Sequence, residues 1–85
     1  MGGNDLVTTE RVRDFIVTEL RWDGPPSELT DDYPLLQTGV IDSLGLFRLV
    51  EFLESEYGIQ IDDTELVPEN FATLSSIVKL TERAA

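Results

Sequence analysis

Apolar residues recur at helical spacing in three parts of the chain. The first set follows Thr8 and Thr9, either of which can cap a helix. Its members are Val12, Phe15, Ile16 and Leu20. Their spacing of three or four residues predicts a first amphipathic helix. The Asp-Gly-Pro-Pro segment at 23–26 is expected to end that helix.

A second helix is predicted from Ser43 to Tyr57, with Asp42 as its cap and Gly58 as its stop. Successive side chains turn by about 100° around such a helix. One side is therefore an apolar stripe that faces the core, made of Leu46, Leu49, Val50, Leu53 and Tyr57. The exposed side, beside Ser43, carries Leu44, Phe47, Arg48, Glu51 and Glu54.

The last helix is predicted to begin after Thr73, and a short helical turn over residues 62–65 precedes it. Residues 27–42 form a long loop whose apolar side chains are expected to pack against the helices. These side chains are Leu29, Tyr33, Leu35, Leu36, Val40 and Ile41. The pattern predicts an all-α fold, a small four-helix bundle of three main helices and one short helix, with a long loop after the first.

Length and composition limit the domain organisation and the chemistry. The chain has 85 residues, enough for one small core. We expect residues 1–7 to be a flexible N-terminus and 8–85 to form a single domain. The absence of cysteine and histidine excludes disulfides, thiolate metal sites and imidazole catalysis, and no metal site is predicted. No signal-peptide or membrane-spanning pattern occurs, so the cytoplasm is the expected location.

The charge distribution is uneven. The chain has 17 acidic and 6 basic residues and a net charge of −11. Between Trp22 and Val78, twelve residues are acidic and only Arg48 is basic. Such a negative electrostatic field repels nucleic acid and favours basic protein partners. The alternative interpretation is that the charge serves only solubility. Arg48 is expected either to pair with Glu51 or a loop acid, or to repel partners that carry basic patches.

Two features of the second helix stand out. Leu44 and Phe47 are large and apolar on the exposed side, which indicates a contact surface unless the loop covers one of them. Ser43 opens the helix and has three interpretations. It is a first-turn residue only, a nucleophile without a histidine or a Ser-x-x-Lys partner, or a site of covalent attachment. A helix N-terminus, with free N–H groups and a positive dipole end, suits a phosphodiester on that hydroxyl.

The Gly-Val-Ile-Asp-Ser-Leu segment at 39–44, with Leu-Val at 49–50 and Leu-Glu at 53–54, resembles the attachment signature of acyl and peptidyl carrier proteins. The order of the predicted helices and the long loop is similar to that family over nearly the whole chain. The resemblance implies that Ser43, flanked by Asp42 and Leu44, carries a 4′-phosphopantetheine arm that a phosphopantetheinyl transferase takes from coenzyme A.

The same resemblance implies a stand-alone, monomeric carrier rather than an enzyme. Such a carrier holds a biosynthetic intermediate as a thioester, receives it from an acyl- or aminoacyl-loading enzyme and presents it to downstream synthases and transferases. The implied partner contacts are Leu44, Phe47, Arg48, Glu51, Glu54 and Phe71. The alternative is a non-covalent acidic helical adaptor that binds a basic partner through Leu44 and Phe47.

Two positions depart from the pattern of fatty-acid carriers. Arg48 stands where many have an acid, and Gly45 where many have a polar or acidic residue. Both departures argue against docking to the enzymes of housekeeping fatty-acid synthesis. Residues 65–71 are similar to carriers of specialised pathways, such as polyketide or nonribosomal peptide synthesis.

The concentration of acids predicts that salt stabilises the fold, because like charges repel each other more when the chain is compact. We expect the melting temperature to rise between low and physiological ionic strength, where the screening length falls to about 8 Å. Thermal melts followed by circular dichroism in sodium chloride and in potassium chloride measure this, and agreement between the two salts separates screening from ion-specific effects. A flat or falling melting temperature contradicts the prediction.

Overall fold

The structure is a computed structural model that describes residues 7–20 and 22–84. It contains three α-helices, which are α1 (Thr9–Glu19), α2 (Ser43–Tyr57) and α3 (Leu74–Ala84). Three short 3-10 turns occupy Pro26–Glu28, Asp63–Glu65 and Pro68–Phe71. No strand occurs in these described ranges. The predicted all-α bundle is confirmed.

The predicted flexible N-terminus falls almost entirely on residues 1–6, which lie outside the described residues, as do Arg21 and Ala85. Val7 is described, and it packs half-buried against the core. Within the described ranges, none of the helices has the length and apolar character that crossing a bilayer requires.

Each helix begins at the residue type that the sequence predicts. The Thr8 hydroxyl accepts a hydrogen bond from the Arg11 backbone N–H at 3.2 Å, and the Thr73 hydroxyl accepts one from the Ser76 N–H at 3.1 Å. α2 ends at Tyr57, and the next residue, Gly58, has a φ of 66°, a left-handed conformation that favours glycine. The sequence predicts that α1 ends at the Asp-Gly-Pro-Pro segment, but its last helical residue is Glu19. Leu20 already has non-helical backbone angles (φ −101°, ψ 5°).

The short helical turn predicted over residues 62–65 is a 3-10 turn, Asp63–Glu65, and a second 3-10 turn, Pro68–Phe71, follows it. Pro68 separates the two turns, since its ring restricts the preceding residue to extended geometry. Val67 has that geometry, with φ −117° and ψ 150°. The second turn ends at Phe71, whose side chain is fully buried. The proline therefore divides a helical segment into two short turns.

The core takes side chains from the loops as well as from the helices. α1, α2 and α3 contribute Val12, Phe15, Ile16, Leu49, Leu53, Leu74, Ile77 and Leu80. The long loop adds Leu29, Leu35 and Ile41, all at most 1% exposed. Full burial of one such side chain is worth roughly 1.5–3 kcal/mol. The loop between α1 and α2 is thus part of the core, as its composition predicts.

Hydrogen bonds fix this loop to α1 and α3. The Leu35 N–H donates to the Ala72 carbonyl at 2.8 Å, and the Ser75 N–H donates to the Asp31 carbonyl at 3.2 Å. The Arg13 Nε donates to the Leu29 carbonyl at 2.7 Å. These bonds give partners to backbone N–H and C=O groups that burial would otherwise leave without a hydrogen bond. They also fix the path by which the loop reaches α2.

Arg13 joins α1 to the loop twice, since its guanidinium also pairs with the Asp31 carboxylate at 3.0 Å. We expect Arg13→Ala to lower the free energy of unfolding by about 1.5–3 kcal/mol, the usual value of hydrogen bonds to a charged group. The matched control is Arg11→Ala. It removes the same charge from the same helix, but the Arg11 side chain is exposed and makes no ion pair within the described residues. Urea unfolding measures both variants, and equal losses contradict the prediction.

Candidate functional site

Asp42 fixes the point where the long loop becomes α2. Its backbone is extended, with φ −102° and ψ −171°, and its Oδ1 accepts a hydrogen bond from the Gly45 N–H at 2.8 Å. Its carbonyl accepts the first helical bond, from the Leu46 N–H at 2.8 Å. The preceding residue, Ile41, is 1% exposed and anchors the junction in the core. Ser43 is therefore the first residue of α2, directly after a hydrogen-bonded cap and a buried anchor.

Ser43 is exposed, and its hydroxyl makes no hydrogen bond within the described residues. The N–H groups of Ser43 and Leu44 likewise have no carbonyl acceptor among the described residues, as expected for the first turn of a helix. These free donors lie at the positive end of the α2 dipole. The junction thus combines an accessible hydroxyl with an environment that favours a phosphate bonded to it.

The exposed side of α2 begins directly after this serine. The Leu44 side chain is 68% exposed and that of Phe47 is 64% exposed. The long loop covers neither, so the prediction that both lie on the exposed side is confirmed. Glu51 lies on the same side and is exposed. An apolar pair of this size on the surface is characteristic of a contact site.

Comparisons with known proteins agree with this geometry. Residues 10–81 match the family model described as the phosphopantetheine attachment site. The chain is 39% identical over 61 residues to the probable acyl carrier protein PigG of Serratia sp., covering 72% of this chain and 70% of that protein. It is 37% identical over 57 residues to an acyl carrier protein of Thermotoga maritima, covering 67% and 68%.

The chain belongs to the acyl carrier protein family. Its cofactor is phosphopantetheine, because the matched domain is the attachment site of that group in acyl carrier proteins. Members of this family are carriers rather than catalysts, and they generally interact with synthase and transferase enzymes. The residues around Ser43 fit the cofactor, since they offer an exposed hydroxyl and free N–H donors.

Arg48 of this carrier protein pairs with α1 rather than with the predicted acids. Its guanidinium lies 3.4 Å from the Glu19 carboxylate, and both side chains are about half exposed. The predicted partners, Glu51 or a loop acid, are therefore wrong. Arg48 lies on the part of α2 that faces the end of α1, an arrangement that the helical wheel of α2 alone does not reveal.

Two of the expected partner contacts have structural roles in the carrier. Glu54 is half-buried, and its Oε2 accepts a hydrogen bond from the Ile61 N–H at 3.0 Å, which fixes the chain after α2. Phe71 is fully buried in the core, so the expectation that it contacts partners at the surface is corrected. Its apolar size suits either role, and the packing of the fold places it in the core.

Val67 is an exposed apolar residue that the sequence analysis missed. Its side chain is 36% exposed, in the extended segment between the two 3-10 turns. Pro68 could have indicated this exposure. It disfavours helical geometry at Val67, so Val67 does not belong to the buried apolar face of a helix.

The cap of α2 has a matched counterpart in α3. We expect Asp42→Ala and Thr73→Ala each to lower the free energy of unfolding by about 1 kcal/mol, because each leaves one first-turn N–H without its side-chain acceptor. Chemical denaturation of both variants measures the losses. Asp42→Asn retains an acceptor oxygen and should lose only a small part of this stability. An Asp42→Ala variant as stable as the parent contradicts the assigned cap.

Proposed function

We propose that Ser43 is the residue that carries 4′-phosphopantetheine, and that the chain holds a biosynthetic intermediate as a thioester for partner enzymes. The observation that carries the proposal is the exposed, unbonded Ser43 hydroxyl at the first position of α2, within the matched domain. The similarity to two acyl carrier proteins supports it.

The residues around Ser43 position the attachment rather than react. Asp42 and the buried Ile41 position the serine at an exposed turn, where a modifying enzyme can reach it. The free N–H groups of Ser43 and Leu44 stabilise the negative charge of a phosphodiester on the Ser43 oxygen. When bound, the cofactor supplies a thiol that forms a thioester with the cargo. Partner enzymes carry out the bond-making steps.

Leu44 and Phe47 form the core of the proposed partner face, which also includes Glu51 and Arg48. The two apolar side chains supply the area that partners bury, and the charges around them set partner choice and association rate. Arg48 adds a positive charge beside Leu44, and Glu19 neutralises it only from the α1 side. This face is therefore less acidic than the net charge of −11 implies.

Such a face suits the enzymes of a specialised pathway, of the polyketide, nonribosomal peptide or related type. Enzymes with basic patches selected for wholly acidic carriers gain less from it. The partners in this proposal are a phosphopantetheinyl transferase, an acyl- or aminoacyl-loading enzyme and the downstream synthases and transferases. We propose the cytoplasm as the site of action and a monomer as the working form.

A second candidate function is that of a non-covalent adaptor, and the exposure of Leu44 and Phe47 favours it independently of Ser43. In that case the apolar pair binds a basic partner directly and no covalent group is needed. The two candidates differ in one measurable property, which is whether the chain accepts phosphopantetheine.

Incubation with coenzyme A and a broad-specificity phosphopantetheinyl transferase is expected to add one phosphopantetheine group per chain. Ser43→Ala should accept none, because it lacks the acceptor oxygen. Ser27→Ala, a change to another exposed serine in the long loop, is the matched control and should be modified like the parent chain. Intact-mass spectrometry with peptide mapping measures the result. Modification at another residue overturns the site, and no modification at all favours the adaptor.

The capping variants test how the helix start contributes to this reaction. Asp42→Ala and Thr73→Ala should lose similar stability, but only Asp42→Ala changes the turn that presents Ser43. A slower rate of modification for Asp42→Ala alone supports a positioning role of Asp42. Equal rates in the two variants mean that Asp42 contributes only stability.

A further inference from the structure

A groove beside Ser43 lies between the end of α1 and the start of α2. Its volume is about 330 Å³. Its walls include Glu19 and Leu20 from the end of α1, Val40 from the loop, and Leu44, Gly45 and Arg48 from α2. A larger hollow of about 610 Å³, around Arg13 and Asp31, includes neither Ser43 nor its neighbours. Asp42 and Leu44, on either side of Ser43, line the smaller groove, so a group attached to Ser43 lies within reach of it.

Gly45 lies next to the Leu20 side chain at this groove. A Cβ atom at this position would lie 3.2 Å from the Asp42 Oδ1, which is closer than most real contacts, and 3.4 Å from the Leu20 Cδ1, which borders on ordinary van der Waals contact. Glycine inside a helix usually costs about 0.5–1 kcal/mol relative to alanine. The capping carboxylate of Asp42 accounts for a glycine here, because its Oδ1 lies closest to the position of a Cβ. Further along, Phe15 stacks on Phe52 with ring centroids 4.5 Å apart, which holds the helices together.

The lining of the groove combines apolar and charged groups. Leu20, Val40 and Leu44 supply apolar surface. The Glu19–Arg48 pair supplies one acceptor and one donor, both accessible to solvent. A long hydrocarbon tail is a poor occupant of such an open, charged groove, because burial beside charges gains little. A slender group with both amides and methyl groups fits better.

Resting on the proposed attachment at Ser43, we propose that this groove is a resting site for the phosphopantetheine arm itself. The arm contains amides that donate and accept hydrogen bonds and a carbon that bears two methyl groups. Arg48 and Glu19 match the amides, and Leu20 and Val40 match the methyl groups. Asp42 and Leu44, which also line the groove, are the two chain neighbours of Ser43.

Attachment makes weak binding in this groove effective. A short tether holds its ligand at an effective concentration on the order of millimolar. The tethered arm therefore occupies a groove that free coenzyme A at micromolar concentration leaves empty. Leu44 belongs both to the groove and to the partner face, so a partner that covers Leu44 displaces the arm. Docking and release of the arm are thus coupled through one side chain.

Nuclear magnetic resonance on the complete chain, with and without the arm, tests this site. The diagnostic signals are the backbone amides of Glu19 and Leu20, because α1 is far from Ser43 in sequence and senses the arm only through space. We expect these amides to shift on attachment and the methyl groups of the arm to show nuclear Overhauser contacts with Leu20. Lys79 on α3 is the control and should not shift. Equimolar free coenzyme A should shift none of them.

Reactivity of the arm thiol with an aromatic disulfide provides a second measurement. An arm that spends about two thirds of the time in the groove reacts about threefold more slowly than one that is always free. Leu20→Ala and Arg48→Gln should restore the faster rate. Ser55→Ala, a change to an exposed α2 residue that does not line the groove, is the matched control and should leave the slow rate unchanged.

The outcomes separate this inference from the function on which it rests. If mass spectrometry finds the arm on Ser43 but the α1 amides do not shift and the thiol reacts as fast as free pantetheine, the resting site is overturned and the carrier function stands. If Ser43 accepts no arm, the carrier function fails, and the resting site fails with it.

Discussion

The burial of the loop between α1 and α2 is the constraint on which the site depends. Leu29, Leu35 and Ile41 are removed from water, while backbone groups of the loop bond to the Arg13 side chain of α1, to the Ala72 carbonyl before α3 and to the Ser75 N–H within α3. A loop of this length is normally mobile, since it must lose conformational entropy to become ordered. Here the apolar side chains and the hydrogen bonds offset that cost. Because Ile41 is anchored, Asp42 and Ser43 have a defined position.

The start of α2 serves the fold and the site with the same atoms. Asp42 satisfies the Gly45 N–H and so stabilises the helix, but it leaves the N–H groups of Ser43 and Leu44 free. A cap that bonded all the N–H groups of the first turn would leave no free N–H donor for a phosphate. The proposed attachment therefore uses the part of the helix end that capping leaves unsatisfied. It needs no catalytic group on the chain, since the chemistry belongs to partner enzymes.

The net charge of −11 does not describe the charge distribution on the exposed side of α2. Asp31 and Glu65 pair with Arg13 and Arg83, and Glu54 accepts a backbone hydrogen bond. On the exposed side of α2, Glu51 stands near Arg48, which is itself paired with Glu19. Long-range attraction of a basic partner follows the whole field. In the proposed function, contact at Leu44 and Phe47 depends on these local pairs, so long-range attraction and contact depend on different charges.

The local sequence by itself determined the helices and the candidate serine. Periodicity and caps depend on residues close together in the chain, so α2 from Ser43 to Tyr57, its cap and its exposed apolar pair were all predictable. Tertiary structure decided what depends on neighbours distant in sequence. The Arg48–Glu19 pair, the burial of Phe71 and the approach of Leu20 to Gly45 each join elements whose relative position no local pattern encodes. A helical wheel shows which way a side chain points, and only packing shows what it meets there.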